Sequence, residues 1–341
     1  MKSQFFRPHI HQLKAYSSAR NEFGGEANVF LDANENNLSD FPFFRYPGEE
    51  KQVLKSKIAE WNGLKTNQIF LGNGSDEIID LIIRACCEPG KDAIVLNPPS
   101  YGMYDVCAAL NNVAVKSVPM RGDYWDMEAL LAIANPRKKL MFICSPNNPT
   151  GTSIQQKDLE LLLSNFSGTV VVDEAYIEFS EQKSAVALIE KYSNLLVLRT
   201  FSKAYGMAGA RVGWCVASES WIGVLNTIAA PYNVNSLSIQ ALLDLDFTSI
   251  QSKVEIIKEE RKVLLAFLEE REEVNQVWGT DANYILFASK QAAGLFLYLR
   301  KQGIIIRNRS AQIKDALRVS IGTPAENEQF KIALNTFFNA A

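Results

Sequence analysis

Residues 140–151 read LMFICSPNNPTG, and residues 169–176 read TVVVDEAY. Each is a short apolar run that stops at a loop rich in Ser, Pro, Asn, Asp or Gly. A strand with one wet face alternates apolar and polar residues. A run with almost no alternation is buried on both faces, as in a parallel sheet covered by helices. The same signature recurs at 68–71 before GNGSDE, 93–96 before NPPSYG, 195–198 before RTFSKAYG and 212–216 before ASES. Helix-like stretches lie between several of these runs: 76–87 (DEIIDLIIRACC) after Ser75 as a cap, and 155–163 after a Pro/Gly turn. Alternating strand and helix predicts an α/β fold with a mostly parallel central sheet. Ligands of such sheets bind beyond the carboxyl ends of the strands, where these polar loops fall.

Beyond about residue 230 the pattern changes. A charged helical stretch near 250–273 leads to shorter strands at 284–287, 303–307 and 316–321, with a helix between them. This predicts a smaller α+β unit completed by N-terminal residues. The expected division is a large domain over 30–247 and a small one from 1–29 plus 248–341. The length of 341 residues agrees, at roughly 100–200 residues per domain.

Composition narrows the class of function. A net charge of −3 with no basic block provides no footprint for nucleic acid or an anionic membrane. Apolar stretches are broken by charge well short of the roughly 20 residues that span a bilayer. The opening MKSQFFRPHIHQL lacks a signal-peptide core, so a cytoplasmic location is expected. Cys86, Cys87, Cys107, Cys144 and Cys215 form no CxxC pair, which fits reduced thiols. His9 and His11 lack metal-site spacing, and no GxSxG occurs, so neither a metal centre nor a serine hydrolase is expected.

The loops bring candidate chemistry. Gly72-Asn73-Gly74-Ser75-Asp76 joins a strand to a helix, whose free N–H groups and dipole can hold a phosphate, although an ordinary capping turn would read the same. Glu77 breaks the GxGxxG pattern, and no Lys completes a Walker loop. Asp173 ends a buried strand, where a carboxylate needs a cation: a protonated ring nitrogen, a structural arginine or a magnesium ion. Lys203 follows the next strand, where burial and nearby cations can lower an amine pKa and allow a Schiff base. Arg211 is a second cation close by. Asn148 offers an amide and Tyr101 a flat ring, each at a strand end, though the first loop could be a plain turn and the ring a core aromatic.

Taken together, GNGSDE, SYGMY, SPNNPTG, DEAY, SKAYGMAGARVG and LRVSIGT resemble the fold-type I pyridoxal-phosphate-dependent aminotransferases. The resemblance runs over about 15–323. LDANEN, RYPG, EPGKDAI, DEAYIEF, APYNVN, ANYIL and IIIRN make the chain more narrowly similar to the histidinol-phosphate aminotransferase branch of that family. The resemblance implies pyridoxal 5'-phosphate as cofactor, held by Lys203, which would also shuttle a proton between Cα and C4′. Asp173 would pair with the pyridine N–H, Asn148 and Tyr176 with the phenolic oxygen, and Tyr101 with the ring face. Gly74, Ser75, Asp76, Ser202 and Arg211 would form the phosphate end of the cofactor site, with Tyr46 reaching in from a partner subunit of a homodimer.

For substrate, the resemblance implies Arg318, Arg307, Tyr16 and Asn34, with Tyr16 also completing the neighbouring subunit's site. Two arginines and a phenol suit a phosphate dianion better than a lone carboxylate. The implied small-molecule substrates are histidinol phosphate and glutamate/2-oxoglutarate. Asp32 and Arg309 receive no role. An aromatic amino-acid aminotransferase or a threonine-phosphate decarboxylase would share the cofactor site. A non-catalytic regulator module is disfavoured, because no helix-turn-helix segment precedes the motifs.

Overall fold

A computed structural model describes residues 5–16, 27–133 and 138–339. Seven strands form one sheet: β1 (Ile69–Gly72), β2 (Ala93–Leu96), β3 (Ala114–Ser117), β4 (Lys138–Cys144), β5 (Thr169–Asp173), β6 (Leu195–Thr200) and β7 (Gly213–Val216). Their order is β1-β7-β6-β5-β4-β2-β3. The β2–β3, β2–β4, β4–β5 and β5–β6 ladders are parallel, whereas β7 runs antiparallel to both β1 and β6. Strands β1, β2, β4, β5 and β6 therefore end at one edge, and β7 begins there. This reversal corrects one expectation. The ASES loop after β7 leaves at the far edge, whereas Arg211, just before β7, stands on the edge where the other loops gather.

The runs without alternation are buried on both faces. Met141, Ile143, Val170 and Val172 belong to one apolar cluster, and Leu140, Phe142 and Val171 to the opposite one. Each fully buried aliphatic side chain contributes about 1.5–3 kcal/mol. Around this sheet lie α1 (Glu49–Asn62), α2 (Gly74–Cys86), α3 (Met103–Leu110), α4 (Met127–Ala132), α5 (Gln156–Asn165), α6 (Glu219–Ile228) and α7 (Ser236–Leu243). Helix α2 starts at Gly74, so Ser75 lies inside its first turn and is not the cap expected from the sequence.

Helix α8 (Ile250–Glu269) ends four residues short of the predicted stretch and leads to a second sheet. This sheet has β8 (Gln276–Val277), β9 (Tyr284–Ala288), β10 (Arg307–Asn308) and β11 (Ala316–Ser320), in the antiparallel order β10-β11-β9-β8. With α9 (Ala292–Lys301) and α10 (Pro324–Asn339) it closes a third core around Leu268, Phe287, Leu295, Leu317 and Phe330. The strand expected over 303–307 shrinks to Arg307–Asn308. Gly303 sits at φ +78° just after α9, and β10 is an edge strand with one neighbour. The register pairs Arg307 with Arg318, placing two cations side by side.

The N-terminal segment also departs from expectation. Phe6 packs edge-on to Trp221 at 4.5 Å, Ile10 is buried, and the Arg7 N–H donates to Ala85 O at 2.9 Å. Residues 5–12 thus lie on the seven-stranded unit and not against the small sheet; residues 17–26 of the expected arm fall outside the described residues. Among the described residues, no helix is long and apolar enough to cross a membrane.

Candidate active site

The loops after β1, β2, β4, β5 and β6, and the turn before β7, meet β10 and β11 around a cavity of about 350 Å3. It is lined by Ser75, Asp76, Tyr101, Cys144, Asn148, Asp173, Tyr176, Ser202, Lys203, Arg211, Arg307, Arg309 and Arg318, among others. The sheet topology explains this convergence: residues far apart in the chain share one sheet edge. Among the described residues, no group of three or more His, Cys, Asp or Glu could hold a metal ion.

Asp173 closes β5 at 2% exposure. Burial pushes its carboxyl above the ordinary range, opposed by two donors and by the charge of Lys203. The donors are Tyr104 Oη–H to Oδ2 at 2.7 Å and Ala175 N–H to Oδ1 at 3.1 Å. No arginine or lysine forms an ion pair with it among the described residues, so a cation from a ligand remains its natural partner. Sequence reasoning missed Tyr104. It is fully buried, stacks on Phe142 at 4.8 Å, and lies edge-on to Tyr101 at 5.6 Å. The available signal was its place three residues beyond Tyr101 in SYGMY, at the start of α3.

At the opposite end of the cavity, the N-terminus of α2 runs against the start of β7. Gly74 sits at φ +78°, and a Cβ there would lie 2.8 Å from Arg211 Nη2. A Cβ on Gly213 would lie 2.6 Å from the Ser75 nitrogen, so close backbone approach requires glycine there, while at Gly74 the left-handed φ does. Arg211 Nη2 stands 3.5 Å from Asp76 Oδ2, and Tyr101 Oη donates to Asp76 Oδ1 at 3.0 Å. Backbone donors at a helix start, with Ser75, Ser202 and a guanidinium beside them, make a pocket for an anion.

Lys203 opens into the space between these ends, with Nζ 5.5 Å from the Tyr176 ring centroid. Its pKa is lowered by burial, then by the charges of Arg318 and Arg211, against the opposite pull of Asp173 and Asp76. A lowered amine pKa raises the fraction present as the free nucleophile. Asn148 Nδ2 donates to Tyr176 Oη at 3.4 Å, and its Oδ1 accepts from both Arg318 and Arg309. Arg318 also lies over the Tyr284 ring at 4.8 Å, whose hydroxyl donates to Asn147 O at 2.6 Å and ties the small sheet to the SPNNPTG loop. Sequence reasoning left Arg309 without a role. Its spacing of two from Arg307, in an extended stretch, is the signal that would have put both on one face.

Tyr46, Tyr16 and Asn34 are not brought to Lys203 within one chain. Tyr46 stacks on Tyr232 at 4.5 Å, and its N–H donates to Glu35 Oε1 at 2.8 Å. With Tyr16 it lines a separate groove of about 930 Å3, and Asn34 lies with Tyr46 at a neighbouring opening. His9 and His11 are exposed and do not line the cavity.

Residues 19–334 match the family model described as aminotransferase class I and II. A histidinol-phosphate aminotransferase from Parabacteroides distasonis is 45% identical over 333 residues, covering 96% of this chain and 96% of that one. One from Bacteroides fragilis is 44% identical over 337 residues, covering 97% of each. Among solved structures, the histidinol-phosphate aminotransferase from Clostridium acetobutylicum superposes with a TM-score of 0.81 at 26% identity, over 88% of this chain and 92% of that one. The one from Sinorhizobium meliloti, in complex with pyridoxal-5'-phosphate, shares the fold with a TM-score of 0.80 at 21% identity, over 90% of each.

Proposed function

The chain belongs to the class I and II aminotransferase family, and from that membership we propose that it transfers the amino group of L-histidinol phosphate to 2-oxoglutarate. The products are 3-(imidazol-4-yl)-2-oxopropyl phosphate and L-glutamate, a step of L-histidine biosynthesis, and the cofactor is pyridoxal 5'-phosphate. The observation that carries this reading is the cationic wall of the cavity. Arg307 and Arg318 line it together with Lys203, with Arg309 behind them on Asn148, and neither Arg307 nor Arg318 has a carboxylate in ion-pair contact among the described residues. Such a wall suits a substrate phosphate.

The residues fit the cofactor. Asp173 is a buried carboxylate with only neutral donors, which a protonated pyridine nitrogen would complement. The α2 N-terminus, Ser75, Ser202 and Arg211 offer donors to its phosphate, and Tyr101 a face for its ring. When bound, pyridoxal phosphate supplies an electron-withdrawing ring that accepts the electron pair left at Cα. Lys203 Nζ is the amine that holds the cofactor and then moves the proton at Cα. Asp173 keeps the ring nitrogen protonated, while Asn148 and Tyr176 hold the ring oxygen. Arg307 and Arg318 orient the substrate anion and serve the carboxylates of glutamate in the second half-reaction.

The active assembly in this reading is a cytoplasmic homodimer, with Tyr46, Tyr16 and Asn34 serving the site of a second copy. Exposed apolar side chains close to Asn34 and Tyr46 in the chain, Leu31, Leu38 and Phe41, support a covered surface there. The domain division is a large unit over 30–247 and a smaller one from the remainder, apart from residues 5–12, which pack on the large unit. The test is a substrate panel on purified holoenzyme. Histidinol phosphate with 2-oxoglutarate should turn over best, ahead of phenylalanine. No transamination of histidinol phosphate, or release of carbon dioxide from threonine phosphate in its place, would overturn the reading.

A further inference from the structure

Arg309 places its guanidinium on Asn148: Nη2 donates to Asn148 Oδ1 at 3.1 Å. The same oxygen accepts from Arg318 Nη1. A guanidinium carries donors only, so the side of an amide that faces two arginines must be its oxygen. The NH2 is thereby turned the other way, toward Tyr176 Oη at 3.4 Å. Arg309 is held in turn by Gln312, whose Oε1 accepts from Nη1 at 3.2 Å, and by its own backbone N–H on Ala316 O at 2.9 Å. Its Nε is buried with no partner, while the Nη1 end reaches Gln312 at the surface.

We propose that Arg309 is a positioning residue that fixes the amide of Asn148, with Nδ2 aimed at the ring oxygen of the cofactor, while Arg318 serves the substrate anion. The inference rests on the proposed function and deepens it. One guanidinium on Oδ1 would suffice only if Arg318 had no second task. With Arg309 on the remaining lone pair, the amide stays oriented whatever Arg318 binds. A donor held on the ring oxygen stabilises its anionic form, and so lowers the pH at which the cofactor held on Lys203 loses its proton.

The experiment is a spectrophotometric pH titration of the holoenzyme, following the absorbance of the cofactor bound to Lys203. Arg309→Met keeps the length of the stem and removes the donors. Its midpoint should rise by roughly 0.5–1 pH unit, the size expected for weakening one hydrogen bond to a charged acceptor. Loss of a nearby positive charge would act in the same direction, so the measurement is repeated with Asn148→Ala. There Arg309→Met should leave the midpoint unmoved, because its effect passes through Asn148. Arg309→Lys, which restores a donor, should recover part of the shift. Asp76, Tyr101, Asp173, Tyr176, Arg211 and the other two arginines face Lys203 in every variant.

An unmoved midpoint with a raised KM would overturn the proposal and make Arg309 a direct substrate contact. An equal shift with and without Asn148 would overturn it in favour of a charge acting through space. If Arg309→Met is not recovered folded, Arg309→Leu, which also carries no donor, is read in the same two backgrounds. Failure of the wider reading looks different: wild-type protein would then show no cofactor band at all.

Discussion

Behind the cavity, Arg199 on β6 is 8% exposed and stands between two carboxylates. Its Nη2 donates to Glu178 Oε1 at 2.6 Å, and its Nη1 lies 3.5 Å from Glu174 Oε2. Glu174 follows Asp173 in the chain, is 2% exposed, and also accepts from Ser184 Oγ–H and the Ala185 N–H, both at 2.6 Å. Arg199→Met keeps most of the apolar stem and removes the charge. Breaking a buried pair from one side costs about 3–5 kcal/mol, and the two neutral donors left on Glu174 favour the lower part, about 3–4. An unfolding entropy of about 2.1 cal/mol/K per residue over 341 residues is roughly 0.7 kcal/mol/K. The expected fall in Tm is therefore about 4–6 °C.

The pH dependence has a definite sign. Burial raises the Glu174 carboxyl above its ordinary range, and Arg199 pulls it back. In the variant that pull is gone and the midpoint rises further. A raised carboxyl midpoint penalises the folded state above it and not below the unfolded value. The deficit in Tm should thus be full at pH 8 and shrink toward pH 5. The assay is thermal unfolding of both proteins at equal concentration and equal cofactor saturation. Adding Glu174→Gln and Glu178→Gln to Arg199→Met should recover most of the loss, because no charge is then left unpaired. A fall below about 1 °C, or the same deficit at both pH values, would refute the reasoning that an unpaired buried charge is the cause.

Lys203→Ala should bind pyridoxal phosphate without the covalent absorbance band and should lose transamination. A linkage still trapped by borohydride in the variant would show that another amine holds the cofactor. Tyr104→Phe keeps the ring stacked on Phe142 and deletes the donor to Asp173. Loss of one hydrogen bond to a buried charge should lower kcat roughly 10–100-fold with KM nearly unchanged, and a kcat equal to wild type would rule Tyr104 out as a support of Asp173.

How far such a site can be read from sequence depends on how local its causes are. The buried strands were legible because TVVVD or LMFIC carries its two-sided burial within a few residues, and the loops because Gly, Pro, Asn and Asp announce a strand end. The direction of β7 was not legible: GWCV is equally apolar either way up, and only its neighbours β1 and β6 decide it. The reversal matters for chemistry, since it carries Arg211 to the site and ASES away from it. The contact made by Arg309 was illegible for a related reason, although its spacing from Arg307 was not. Its partner Asn148 lies 161 residues away, joined only by the docking of β10 and β11 on the SPNNPTG loop. Arg307 and Arg318 were found through motifs of their own, and Arg309, lacking one, was passed over although the same edge of the small sheet delivers all three. Tyr46, Tyr16 and Asn34 mark a limit of another kind, because one chain leaves them beside a separate groove. A spacing of two can put a residue on a face, but it does not say which distant loop that face meets. Such residues are found by asking which buried donors, Arg309 Nε and Arg318 Nε among them, still lack an acceptor once the motifs have been placed.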